Sequence, residues 1–537
     1  MVLREIRGEQ FVSVSGAELL DHVARARAFL RQAGLQHGER CALLGPNSIR
    51  WTAIDLALMA EGSIVVPLYA RQAPAELATM LQDCTPRLLI ARDAALGESV
   101  AQAWPDAPRR VTFDQIFQGA TPGQEIAGPP NARRSDDLVT IIYTSGTSGE
   151  PKGVCLSTAN LDHMLGCTTR WIDRLDKSER EPLRVFQYLP FNFAASWIVM
   201  MSCLTRETVL TLSTDLNKLA DEIRLSAPNY FFNVPTLLER VKRGVEEAMA
   251  KRGRLIQSIY KNGRAAWQKQ NAGESGGGLW LLAAQKLVFD KIRERFGPNL
   301  QGLVCGSAPL APETQEFFAM LGIPIWQVYG LTETCGICTM DDPQTPEPGR
   351  VGQAVPGVEM KAGENEEILV RGPNIFPGYW SRPEETAHVL QGGWFHTGDQ
   401  GEVNLRGNWR ISGRIKNLII LNSGHNIAPE PIEGKIAQHL PGTQQVVIIG
   451  NGRGYLCVLA TGGVEPAAVQ AALDVVNADL PHYRQVRNFA VLKEAFTPEN
   501  GLLTANGKLK RDAIHLKFRE EIDRMYTKEA AAVGSNA

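Results

Sequence analysis

One loop has the composition to hold phosphate: Tyr143-Thr-Ser-Gly-Thr-Ser-Gly-Glu-Pro-Lys152-Gly153, directly after the apolar run 138–142. Small residues let the backbone approach an anion, free N–H groups and hydroxyls donate to phosphate oxygens, and a lysine supplies charge. The pattern is not the Walker loop G-x-x-x-x-G-K-[ST], since Lys152 precedes Gly153 and Val154, and it is not the dinucleotide G-x-G-x-x-G. A bare Gly/Ser run is more often a linker; the apolar run before this one and the Pro-Lys-Gly-Val after it favour a phosphate cradle. Taken singly, Glu333, Asp399, Arg414 and Lys508 read as a solvated loop carboxylate, a turn aspartate, a strand-end arginine and one member of a C-terminal basic cluster.

The surrounding pattern says what must position this loop. In the first hundred residues helical and strand-like segments alternate: SGAELLDHVARARAFLRQAG opens on a Ser cap and ends on Gly, CALLGPN reads as a buried strand, and WTAIDLALMAEG, SIVVPLY, PAELATMLQDC and PRLLIARD repeat the alternation. Such alternation predicts a parallel, doubly wound α/β sheet, with ligands outside the carboxyl ends of the strands. Residues 105–136, rich in Pro, Gly and Ala, read as a connector. A second helix–strand series spans 161–329 and contains a charged helical insertion at 239–295 with a GESGGG break. From Gly352 the texture becomes short strands and Gly/Pro turns, and after Gly413 a compact α+β unit of its own.

Composition bounds the class. The chain has 537 residues, enough for about three to five structural units. With 44% hydrophobic and 21% charged residues it is ordinary globular material. A formal charge of −2 supplies no overall field toward nucleic acid or an anionic surface, and leaves a local basic patch open. Nine cysteines, mostly in apolar surroundings, fit a reduced, cytoplasmic protein; Cys335 and Cys338 have no second pair or His cluster to complete a metal site. MVLREIRGEQ has no apolar core of a secretory signal, and the longest apolar stretch is broken by Asp55, Glu61 and Gly62, so no transmembrane span is expected.

TIIYTSGTSGEPKGV resembles the signature loop of the AMP-forming superfamily of acyl- and aryl-CoA synthetases, peptide-synthetase adenylation domains and luciferases. Further motifs follow in that family's order: Val328-Tyr-Gly-Leu-Thr-Glu-Thr334, Gly393-Trp-Phe-His-Thr-Gly-Asp399, Gly413-Arg-Ile-Lys-Asn417, Ser423-Gly-His-Asn-Ile-Ala-Pro429 and Asn506-Gly-Lys-Leu-Lys-Arg511. The resemblance implies a large N-terminal domain of layered α/β subdomains plus a small β unit, 1–413, and a small mobile α+β domain, 414–537. It also implies a reaction in two steps: a carboxylate and ATP give acyl-AMP and pyrophosphate, then a phosphopantetheine thiol takes the acyl group.

By this resemblance, Thr144, Ser145, Gly146, Thr147, Ser148 and Gly149 with Lys152 would hold the β- and γ-phosphates, and Glu333 with Thr144 would hold Mg²⁺. Tyr329, with Gly330 and Thr332 of the same motif, would lie against adenine, opposite Gly306, Ser307 and Ala308. Asp399 would accept from the ribose hydroxyls, and Arg414 would contact ribose or phosphate. Lys508 would be the electrostatic catalyst of adenylation, acting with Lys152 and Glu333. Lys416 would be the hinge, and Gly424 would line a thiol tunnel after domain rotation.

The insertion 239–295 and the form of SGHNIAPEPIE resemble the long-chain fatty acyl-CoA synthetase branch. That branch implies a medium- or long-chain fatty acid, ATP, and coenzyme A as acceptor, the alternatives being acyl carrier protein as acceptor or an aryl or other acid as substrate, with no nucleic acid partner and peripheral membrane contact left open. Three positions depart from the family pattern: Phe193 where an acyl-pocket His is common, Asn417 where Asp is common, and Asn426 where some relatives have Arg.

Overall fold

The computed structural model describes residues 1–118, 129–145, 150–175, 181–274, 277–497, 499–504 and 507–527. Of the residues expected to cradle phosphate, Gly146, Thr147, Ser148 and Gly149, and the side chain of Ser145, lie outside the described part.

The expected α/β layering is present, as two sheets. One runs in the order Gly378–Tyr379, Pro151–Ser157, Leu138–Ser145, Ile64–Leu68, Arg40–Leu44, Leu88–Ala91, Arg109–Thr112. Its last five strands are parallel, and the first two pair antiparallel to their neighbours. The other has at its centre the parallel strands Ile325–Tyr329, Gly302–Cys305, Tyr230–Asn233, Leu183–Gln187, Thr208–Leu212 and Leu3–Arg7, with short antiparallel strands at both edges. The expected connector 105–136 needs correction: it holds the strand Arg109–Thr112 and the helix Phe113–Gln118, whose Phe113, Ile116 and Phe117 are buried. Those apolar residues outweigh the Pro and Gly around them.

Local chemistry explains the helix ends. Ser15 and Glu18 form a reciprocal capping box on Gly16–Gln32, with Oγ accepting from the Glu18 N–H and the carboxylate from the Ser15 N–H. Helix Ile49–Ala60 is buried almost all round and touches strands of both sheets, so it is an internal layer and not a surface helix. The two charges that interrupt its apolar stretch are both buried. Glu61 pairs with Arg27 and Arg31, each at 2.7 Å, and Asp55, 1% exposed, accepts from Trp197 Nε1 at 2.9 Å.

Burial pushes the Asp55 carboxyl up to about 7, against the lowering effect of the Trp197 hydrogen bond. A carboxyl raised in the folded state stabilises fully below its unfolded value and loses that contribution as pH climbs to its folded value. Thermal melts should therefore show stability falling between about pH 4 and 7 by up to about 4 kcal/mol on this account. Asp55→Asn should flatten that slope; an unchanged slope would refute the assignment.

A third, antiparallel sheet, Glu359–Ala362, Glu367–Arg371, Trp394–Val403, Leu390–Gln391 and Trp409–Arg414, forms the expected β unit. The smaller C-terminal domain follows. Its strands Val446–Ile449, Leu456–Ala460 and Val486–Val491 pack one face against helices Glu430–His439 and Pro466–Ala478 and the other against the helices 511–525. The insertion 239–295 is helical where described (Pro235–Ala250, Arg254–Asn271, Gly278–Ala284) and packs on Phe231, Leu303 and Phe317 of the second sheet layer.

Candidate active site

A cavity of 2070 Å³ lies where the two domains meet, and residues from both line it. Thr144, Lys152, Ser307, Ala308, Tyr329, Gly330, Thr332, Glu333, Asp399, Arg414, Lys416 and Lys508 are all on its wall. Among the described residues Gly306 and Gly424 are not. Gly306 stands behind the wall: a Cβ there would come within 2.8 Å of Val328 Cγ2. Gly424, at φ +81, has open space around it in this arrangement of the domains.

Strand pairing sets one wall of the cavity. Leu138–Ser145 and Pro151–Ser157 are antiparallel, with Thr144 opposite Lys152 and Tyr143 opposite Gly153. Gly153 is required by packing, because a Cβ would sit 2.7 Å from Ile141 Cγ2. The Lys152 ammonium pairs with the Glu385 carboxylate and lies 5.5 Å from the Tyr379 ring centre. The Tyr379 hydroxyl donates to Glu333 Oε1 at 2.9 Å, and burial first and Glu333 second push that phenol far above its ordinary value, so it stays a donor. Sequence reasoning missed Tyr379 and Glu385. Their signal was faint, the Gly-Tyr-Trp and Pro-Glu-Glu turns at 378–385, and only the pairing of Gly378–Tyr379 with Pro151–Ser157 brings them to Lys152.

Asp399 and Arg414 face each other across adjacent strands. The Asp399 carboxylate, 4% exposed, binds Arg414 Nε through Oδ1 at 2.8 Å and accepts the Tyr329 hydroxyl on Oδ2 at 2.8 Å. Asp399 raises the Arg414 guanidinium, and burial followed by Asp399 holds the Tyr329 phenol well above its usual value. The turn before Asp399 is pinned by Glu367, which accepts the Gly398 N–H at 2.9 Å, and by Thr397, whose hydroxyl donates to the Ile368 carbonyl at 2.7 Å. Gly330 follows Tyr329 because a Cβ would meet the Gly336 carbonyl at 2.5 Å. Ser307 adopts φ +75, a left-handed conformation that costs a non-glycine residue about 1–2 kcal/mol.

Lys508 reaches the cavity from the small domain. Two hydrogen bonds hold its backbone: the Thr504 N–H donates to the Lys508 carbonyl at 2.7 Å, and the Lys508 N–H to Thr504 Oγ1 at 3.0 Å. Its side chain is still wetted from the open cleft, yet the crowding of protein atoms lowers its pKa. Arg414 and Lys416 act in the same direction, and Asp399 and Glu333 oppose them. Lys510, two residues on, pairs with Glu76 of the large domain at 3.2 Å and tethers this arrangement. Asn417 donates to Glu430 at 2.6 Å, so the amide at this position bonds within its own domain. Asn192, Phe193, Phe232 and Gln327 line a further part of the cavity, with the Phe193 and Phe232 rings stacked at 6.4 Å. Cys335 and Cys338 are buried free thiols, as the packing reading expects.

Residues 4–380 match the model of the AMP-binding enzymes, and residues 416–530 that of the AMP-binding enzyme C-terminal domain. The chain belongs to the AMP-binding enzyme family. Among its relatives, the long-chain-fatty-acid–CoA ligase FadD15 of Mycobacterium bovis is 29% identical over 97% of this chain and 93% of its own length. The long chain acyl-CoA synthetase 3 of Arabidopsis thaliana is 26% identical over 93% of this chain and 84% of its own. The ATP-bound MatB of Rhodopseudomonas palustris shares the fold, with a TM-score of 0.75 at 22% identity over 96% of this chain and 95% of that one. By family and branch the chain is an AMP-forming acid–thiol ligase of the acyl-CoA synthetase type. Among the described residues no helix is long and apolar enough to cross a membrane.

Proposed function

We propose that the chain joins a medium- or long-chain fatty acid to the thiol of coenzyme A. The observation that carries this is the convergence of Lys152, Glu333, Asp399, Arg414 and Lys508, from both domains, on one cavity. In the first step a carboxylate oxygen attacks the α-phosphorus of ATP, the α–β bond breaks, and pyrophosphate leaves with the charge. Both partners are anions, so screening and alignment matter more than proton transfer. Lys508 supplies charge at the α-phosphate and Lys152 at the β- and γ-phosphates, once ATP displaces Glu385 from its ammonium. Asp399 accepts from the ribose hydroxyls, Arg414 contacts ribose or phosphate, and the Tyr329 ring offers a face to adenine.

Glu333 fits a magnesium ion that is held largely by substrate phosphates and water. It is a carboxylate on the cavity wall, turned by Tyr379 and sharing the wall with the Thr144 hydroxyl; no group of three or more His, Cys, Asp or Glu placed to hold a metal occurs among the described residues. Bound there, the ion would neutralise charge building on the phosphates.

In the second step the thiol sulfur attacks the acyl carbon, the thiol proton is lost, and AMP leaves. The chain divides at 413/414, with Lys416 as hinge. Rotation would withdraw Lys508 and bring Gly424, which lies off the cavity wall in the present arrangement, to the acyl group. An acid-by-acceptor matrix tests the whole reading. AMP and pyrophosphate should form, with rates highest for medium or long aliphatic acids, and coenzyme A should outperform acyl carrier protein. Preference for short aliphatic or aryl acids, or for acyl carrier protein, would overturn the corresponding assignment, and formation of ADP would overturn the reaction class.

A further inference from the structure

We propose that the outer face of the helical insertion is a docking surface for an anionic lipid bilayer. The helix Gly278–Ala284 and the π-helical segment Gln285–Phe289 that continues it turn Leu281, Ala284, Val288 and Phe289 inward onto the layer that holds Phe231, Leu303 and Phe317. The opposite side also presents large apolar side chains to water: Leu279 is 84% exposed, Leu282 57%, Leu287 47% and Trp280 45%. Isolated surface leucines are ordinary, but four large apolar side chains within nine residues are an unpartnered face.

Charge identifies the occupant. The insertion 239–295 has thirteen Lys/Arg against six Asp/Glu, in a chain whose total is −2. Lys286 is exposed in the apolar segment itself, and Lys261, Lys269 and Lys291 flank it, with no ion pair among the described residues to neutralise any of the four. Apolar side chains beside uncompensated lysines match the bilayer interface, where acyl chains lie under anionic headgroups. A near-neutral protein partner would leave those charges unused.

The position also suits the chemistry. Phe231 packs on the insertion side of its strand, whereas its neighbour Phe232 lines the cavity, so the surface lies one sheet layer behind the acid-binding wall. The proposal concerns attachment alone and stands whether or not the acid is a long-chain one.

The full chain should be centrifuged with unilamellar vesicles of equal parts phosphatidylglycerol and phosphatidylcholine, and with phosphatidylcholine vesicles alone. We expect binding to the anionic vesicles, weakened by salt, and little to the neutral ones. Leu279→Glu/Leu282→Glu and Lys286→Glu/Lys291→Glu should each weaken binding about tenfold or more. Thermal midpoint and adenylation of a water-soluble short acid should stay unchanged, which separates loss of docking from loss of the activity. A vesicle-induced blue shift that disappears in Trp280→Phe gives a reading independent of both double variants. The proposal is overturned if the wild type stays in the supernatant, or if both double variants bind as it does. It is equally overturned if the leucine variant changes only the sedimentation coefficient of the free protein, which would make the occupant a second copy.

Discussion

Lys508→Ala should lower the rate of adenylate formation about 10²–10³-fold, the size of effect seen when one preorganised charge is removed from a developing anion. Thioester formation from supplied acyl-adenylate and coenzyme A should be nearly unchanged, because the domain rotation we propose withdraws this side chain before the second step. Pyrophosphate release and acyl-CoA formation from synthetic adenylate, measured separately, check the two halves. Equal losses in both would sink the rotation reading. The pH profile adds a signature that a structural lysine would not give. Crowding in the cleft, then Arg414, lower the Lys508 pKa in the free enzyme. A lysine is charged below its pKa, so kcat/KM for adenylation should fall with rising pH at a value below that of an ordinary lysine. Lys508→Arg keeps the charge at all accessible pH values, and should remove that basic limb even if its maximum rate is lower.

Asp399→Asn should raise the KM for ATP about 10²-fold, with kcat reduced less. Its basis is geometric. The Asp399 carboxylate is 4% exposed and already bonded to Arg414 and Tyr329. An amide of the same shape can still offer its oxygen to Arg414 and its NH₂ to the Tyr329 oxygen, so the fold should tolerate it. What it loses, in the role we propose for Asp399, is a charged acceptor for the ribose hydroxyls, each such bond contributing about 1.5–3 kcal/mol. Asp399→Ala should do more, because it leaves the Arg414 guanidinium without its partner and the Tyr329 hydroxyl buried without an acceptor. We expect a lowered thermal midpoint for Ala and a nearly normal one for Asn. If Asn left ATP affinity intact while both lowered the midpoint, Asp399 would be a structural residue only.

Much of the site was legible because its chemistry is written in short spacings. The hydroxyl–glycine loop with Lys152, Glu333 in its YGLTET turn and Asp399 after HTG each lie within a dozen residues, and each resembles one family segment. The helices were equally legible, since a capping box such as Ser15/Glu18 or an apolar period is a local signal. Residues 109–118 were misread because composition averages over a segment, whereas Phe113, Ile116 and Phe117 act singly by being buried. The N-terminal strand Leu3–Arg7 carries no sign of its partner, Thr208–Leu212, some two hundred residues away.

By itself the sequence determined the alternation of helices and strands and the family, and it points to the chemistry we propose: phosphate held by backbone, hydroxyl and lysine. Only the tertiary structure decided which charges meet. Asp399 finds Tyr329 seventy residues back, Tyr379 turns Glu333, and Glu385 takes the Lys152 ammonium. Lys508 stands on the cavity wall while Gly424 stands off it. Such pairings depend on strand register and on how one domain sits against the other. Long-range contacts are selected by burial and complementarity over the whole chain, and a local spacing carries no record of them.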